Sequence, residues 1–154
     1  MTAVDDTILA LVVLAKAALP GTQVLDGWNG KTALDGTMLF VGFNPQIGTP
    51  AYTSTVDEDE GGLDATVETI TVACTAAKWD GNMEFVSKRA ELVDLLSDLR
   101  AALADDIDLG ETVFDAWLAP TAQWYPAIQQ ATTDSPARAT LQVDFAITVR
   151  VHAP

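Results

Sequence analysis

Positive charge is scarce in this chain. Eight Lys and Arg stand against 22 Asp and Glu over 154 residues, a formal net charge of −14. Nucleic acid is gripped by clustered Lys and Arg that neutralise phosphates, and here only Lys88 and Arg89 are adjacent, so ordinary nucleic-acid binding is not expected. Cysteine is almost missing. Cys74 alone forms no internal disulfide, so the fold needs no oxidising compartment. With His152 as the only histidine, no zinc site of the usual Cys/His type can be assembled. Long hydrophobic runs are absent too. The run from Ile8 to Leu14 follows Asp5 and Asp6, and Lys16 interrupts what comes next. It is too short to span a bilayer and wrongly flanked for a secretion signal. These absences describe a protein made and kept in an aqueous, reducing space.

Signatures of catalysis are also lacking. Gly42-Phe43-Asn44 follows an apolar run, but Pro45 comes next and no Gly-Lys-Ser/Thr or dinucleotide glycine pattern appears. Cys74 falls on the apolar side of a strand pattern with no base beside it. His152 falls on a polar side, a lone imidazole without a nucleophile. No catalytic residue and no cofactor are therefore expected.

What is present is a folding composition: 49% hydrophobic and 19% charged residues, enough to bury a core in one domain covering 1–154. Val4, Ile8, Leu11, Val12, Ala15 and Leu19 recur at three- and four-residue spacing, which predicts a helix from Val4 to Leu19 stopped by Pro20-Gly21. A short strand is predicted over Thr22–Leu25 and a buried one over Met38–Phe43. Between Asn44 and Gly62 prolines, glycines and the acidic run Asp57-Glu58-Asp59-Glu60 leave no periodicity, so 44–64 reads as an exposed arm. A strand follows over Ala65–Lys78. A second helix runs from about Glu84 to Ala104, with Leu92, Leu96, Leu99 and Leu103 on one stripe. Strands over Thr112–Leu118 and Ala122–Ala127 read as a pair. The final strand, Ala139–His152, alternates most regularly, with Leu141, Val143, Phe145, Ile147, Val149 and Val151 on one side. The economical fold is α+β: a mainly antiparallel sheet with two helices packed on one face.

Two groups of residues stand out. Asp57, Glu58, Asp59 and Glu60 carry a fragment of calcium-loop spacing, but the rest of that pattern is missing, and a solvated, self-repelling loop is the plainer reading; no metal is assigned. The paired acids Asp5-Asp6 and Asp105-Asp106 are read as helix caps and dipole partners. Trp117, Trp124, Tyr125 and Phe114 gather in the late strands, while Trp28 and Trp79 sit beside turns. Such aromatics pack cores or anchor subunit interfaces, where Trp and Tyr are enriched.

Seven segments in succession carry a resemblance: "ILALVVLAKAALPG", "VLDGW", "TMLFVGF", "VETITVACTAAKWDGN", "KRAELVDLLSDLRAALADD", "LGETVFDAWLAP" and "RATLQVDFAITVRVHAP". In order and character, over nearly the whole chain, they resemble the tail terminator proteins of long-tailed double-stranded-DNA phages; neck and minor tail proteins share much of the pattern. The resemblance implies a homo-oligomeric, hexameric ring in the virion, at the head–tail junction, after assembly in the host cytoplasm. Such a ring binds the tail tube protein, stops tube polymerisation and presents a surface to a head-completion (neck) protein. The genome would pass through its channel without specific binding, and no membrane is involved. It implies no enzymatic activity and transfers no site residues, so Asp57, Glu58, Asp59 and Glu60 as lumen or subunit contacts, and Trp117, Trp124 and Tyr125 as interface anchors, are expectations of the sequence reading. The alternatives are another head–tail connector, a small acidic enzyme with an unrecognised site, and a soluble α+β binding module. Underlying the ring reading is one physical expectation: strand faces too apolar for one small sheet to hide are covered by further copies of the chain.

Overall fold

The computed structural model describes residues 3–27, 36–45, 48, 50–58, 66–80, 83–110, 112–113, 115–134 and 136–152. Within them the chain forms α1 (Ala3–Ala18), β1 (Gln23–Asp26), β2 (Gly36–Val41), β3 (Tyr52–Glu58), β4 (Thr66–Asp80), α2 (Phe85–Asp105), β5 (Asp115–Leu118), β6 (Gln123–Gln129) and β7 (Arg138–His152). This is the expected α+β fold.

The two longest alternating stretches make the spine of the sheet. β4 and β7 pair antiparallel from Val67 opposite His152 to Asp80 opposite Ala139. Each spine strand is then flanked by two shorter strands placed end to end. β2 and β3 share the free edge of β4, opposite Cys74–Trp79 and Thr66–Val72. β5 and β6 share the free edge of β7, opposite Ile147–Arg150 and Arg138–Asp144. β1 adds to β2 in parallel, making the sheet mixed.

Both flanks break at one register point, where Ala73 faces Ala146. The N–H groups of Gly42 and Phe43 donate to the Ala73 carbonyl at 2.8 and 3.1 Å, the Ala73 N–H donates to the Ala51 carbonyl, and the Ala119 N–H donates to the Ala146 carbonyl. Gly42 is required at this exit. Its φ is +75°, and a Cβ there would lie 3.3 Å from Ile8 Cδ1 of α1.

Period two decides which side of the spine is greasy. Ile70, Val72, Cys74 and Ala76 of β4 and every second residue of β7 from Leu141 to Val151 point at the helices and are buried. Ile8, Leu11, Val12 and Ala15 of α1 and Leu92, Leu95, Leu99 and Leu103 of α2 close over them in one cluster. Burying each such side chain contributes roughly 1.5–3 kcal/mol, so this layer supplies most of the stability. At its far end the layer turns ionic: Lys88, 1% exposed, reaches Asp80, and Lys78 pairs with Glu91 at 3.1 Å.

Several expectations are corrected. Residues 52–58 of the expected arm form β3, paired with β4, so Asp57 and Glu58 belong to a strand; Asp59, Glu60 and the rest of the arm to 64 lie outside the described residues. The strands around Ala119-Pro120-Thr121 do not pair with each other; both pair with β7. Leu95 is buried on α2 while Leu96 is half-buried. Asp105 and Asp106 end α2 at its C-terminus, where the dipole disfavours acids; Asp106 instead accepts the Gly110 N–H at 2.9 Å. The apolar face of the β4–β7 spine, finally, is covered by the chain's own helices, whereas Tyr52 and Val56 of β3 and Ile128 of β6 stay exposed.

Candidate assembly surface

The side of the spine away from the helices is built from the intervening residues: Thr69, Thr71, Ala73 and Thr75 of β4 against Arg150, Thr148, Ala146 and Asp144 of β7. Hydroxyls dominate, and most of these side chains are half-buried by one another. Asp144 is held by Thr75 Oγ1 and Gln142 Nε2 at 3.1 and 2.8 Å. At the Ala73–Ala146 waist the missing side-chain bulk leaves a shallow trough of about 390 Å³ of mixed character, with Pro50, Ala119 and Phe145 beside Thr71, Gln123 and Asp144 on its walls.

The expected aromatic anchors do not form one group. Trp117 lies on the open face, opposite Thr148, exposed, with the Arg150 guanidinium 5.6 Å from its ring centroid. Arg150 Nε donates to Asp115 Oδ1 at 2.9 Å and Nη2 to Oδ2, and this pairing holds the guanidinium still more firmly protonated. Tyr125 is on the same face, its hydroxyl donating to Gln123 Oε1 at 2.8 Å. Trp124, one residue earlier, necessarily points the other way, toward the helices, and packs half-buried against the core. Phe114 and Trp28 lie outside the described residues, as do Asp59 and Glu60. Asp57 and Glu58 pair in register with Val67 and Thr66.

Sequence reasoning missed the largest uncovered apolar features, which lie on the helix layer. On the back of α1, Leu9 and Val13 are 51% and 63% exposed, and they border a groove of about 980 Å³ between α1 and the end of α2. At the start of α2 a hollow of about 570 Å³ is walled by Phe85, Arg89, Trp124, Pro126, Ile128 and Leu141, with Ile128 57% exposed. Just past the end of α2, Ile107 stands 51% exposed between acids. The signal was available: Leu9 and Val13 fall off the predicted stripe of α1, and Ile107 falls in a turn.

Cys74 is buried, its Sγ turned toward the Val72 carbonyl at 3.8 Å, and burial pushes its thiol up from 9.0 to about 12 against a weaker lowering by the Gly42 backbone. Among the described residues no three His, Cys, Asp or Glu side chains gather closely enough to hold a metal ion, and no helix is long and apolar enough to cross a membrane. No protein-family model matches this sequence, and no curated protein matches it significantly.

Proposed function

We propose that this chain is a structural virion protein without chemistry of its own: a ring subunit at the head-proximal end of a phage tail tube. There it halts tube polymerisation and offers its other face to a head-completion protein. The observation that carries the reading is the uneven distribution of uncovered apolar surface. The α+β body seals the helix-facing side of its β4–β7 spine, yet leaves a hollow at one end of α2 and an apolar knob at the other, with Leu9 and Val13 on its back. Exposed apolar patches on a small monomer mark interaction sites. Two unlike patches on one chain favour heterologous contacts, which generate rings when the rotation closes.

The rest of the surface agrees with a conduit. The open face of the spine presents threonines, Gln142 and an Asp144 already held by its neighbours. With a net charge of −14 per copy, a ring of such chains repels the phosphate backbone, so a duplex in its channel meets few sticking points. Asp57, Glu58, Asp59 and Glu60 remain our assignment for channel or subunit contacts.

The test is tube growth. Polymerising the tail tube protein of the same phage with increasing amounts of this chain, and measuring tube lengths by electron microscopy, is expected to give shorter tubes carrying a ring at one end. Unchanged length distributions with bare ends contradict the proposal.

A further inference from the structure

A helix N-terminus is electropositive and favours acids, and a C-terminus favours bases. α2 has Glu84 as its N-cap, but its C-terminal end is charged against the dipole, with Asp105 and Asp106 there and no base in the last turn. Arg89 stands at the electropositive end, exposed, beside the hollow formed by Phe85, Trp124, Pro126, Ile128 and Leu141. Its neighbours at three and four residues' spacing, Phe85, Val86, Leu92 and Val93, are all apolar, so no intrahelical acid compensates it. It makes no ion pair among the described residues. At the other end Asp105, Asp106 and Asp108 flank the exposed Ile107 in sequence, again without a cation at ion-pair distance among the described residues. One end is an apolar hollow with a cation at its rim. The other is an exposed isoleucine between acids.

We propose that these two patches are the two halves of one contact: Ile107 of one copy enters the hollow at the start of α2 in a second copy, and Arg89 of that copy meets the carboxylates of Asp105 and Asp108. The occupant is a second copy because one chain carries both an exposed apolar residue flanked by acids and an apolar hollow with a cation at its rim. The contact also sets the C-terminal end of one α2 against the N-terminal end of the next, so the acids at the C-terminal end face the neighbour's electropositive helix end. α2 has 21 residues and is about 30 Å long, so knob and hollow lie too far apart to meet within one molecule. The contact is therefore heterologous and passes from copy to copy. This inference rests on the ring reading above and names the surface that builds the ring.

A complementation experiment tests it. Arg89→Glu spoils the hollow and leaves the knob, while Ile107→Asp spoils the knob and leaves the hollow. Both positions are exposed, and thermal melting checks that both variants fold. In light scattering each variant alone is expected to stay monomeric where the wild-type chain associates, with affinity reduced by about tenfold or more. Mixed in equal amounts they are expected to form a dimer and nothing larger, because one good knob meets one good hollow and the remaining pair sets one introduced carboxylate against the other. Wild-type-like association of both single variants, or a mixture that stays monomeric, overturns this contact while leaving the ring reading intact. Association abolished by Leu9→Asp but by neither variant moves the interface to the back of α1 and also overturns it. A wild-type chain that never associates removes the contact and the ring together.

Discussion

The two faces of the β4–β7 spine are made by the same strands, residue by residue in alternation, and they behave as different materials. The helix-facing set, from Ile70 to Ala76 and from Leu141 to Val151, is apolar and sealed by α1 and α2. The open set is threonine, alanine, glutamine and a few charges, half-buried among themselves and sealed by nothing among the described residues. The difference teaches where stability and association are separated. Folding is satisfied on one face, and the exposed apolar side chains lie on the helix layer and on the flanking strands, Trp117 and Tyr125 among them on the open face.

The comparison can be broken most forcefully at its ionic end. Lys88 is buried on the inner side of α2 with Asp80 as partner, whereas Arg150 meets Asp115 on the open face in solvent. Asp80→Ala removes the carboxylate that the buried Lys88 ammonium reaches and is expected to cost about 3–5 kcal/mol in urea unfolding, while Lys88→Met, which removes the charge and keeps the volume, stays close to neutral. Equal losses for both would show that the pair itself, rather than the buried charge left behind, matters. The same contrast in apolar form comes next. Ile147→Ala is expected to cost roughly 2–4 kcal/mol, and its neighbour Thr148→Ala no more than about 0.5 kcal/mol, because one side chain fills the core and the other lies on the open face.

Cys74 sharpens the comparison through pH. Its folded thiol is raised from 9.0 to about 12 by burial, so the unfolded chain loses this proton first. The stability contributed by the neutral buried thiol is full below pH 9 and is lost as pH climbs from 9 toward about 12. Cys74→Ala is expected to show a shallower decline of the urea midpoint over that range than the wild-type chain; parallel declines would contradict the assignment. The smallest effect is expected at Asp115→Asn, an exposed ion pair whose removal should leave the melting temperature essentially unchanged. A clear drop there would mean that the open face contributes to folding after all.

Much of the closed layer was legible because burial writes a period into sequence. The alternation in β7 and the 3–4 spacing of α1 predicted these elements to within a residue or two, and the α+β arrangement followed from the need to cover them. β3 escaped because it is an edge strand with no buried stripe. Tyr52-Thr53-Ser54-Thr55-Val56 carries the β-branched and aromatic character of a strand, but both its sides are exposed, so alternation had nothing to record. The partition of Trp117 and Tyr125 from Trp124 was readable by counting parity. The knob and hollow were not: they are made by residues distant in sequence, and their meaning depends on Ile107 and Arg89 standing at opposite ends of one helix. Lys88 is similar, a cation on a leucine stripe that only the position of Asp80 explains.

Sedimentation velocity of the wild-type chain, taken from low to roughly millimolar concentration at low and at moderate salt, tests the central claim most directly. Copies carrying −14 each repel at long range, so screening is expected to favour association. The account predicts that monomer gives way to one closed species of fixed mass, a whole-number multiple of the subunit, more readily as salt rises. A single monomeric boundary under every condition would contradict it.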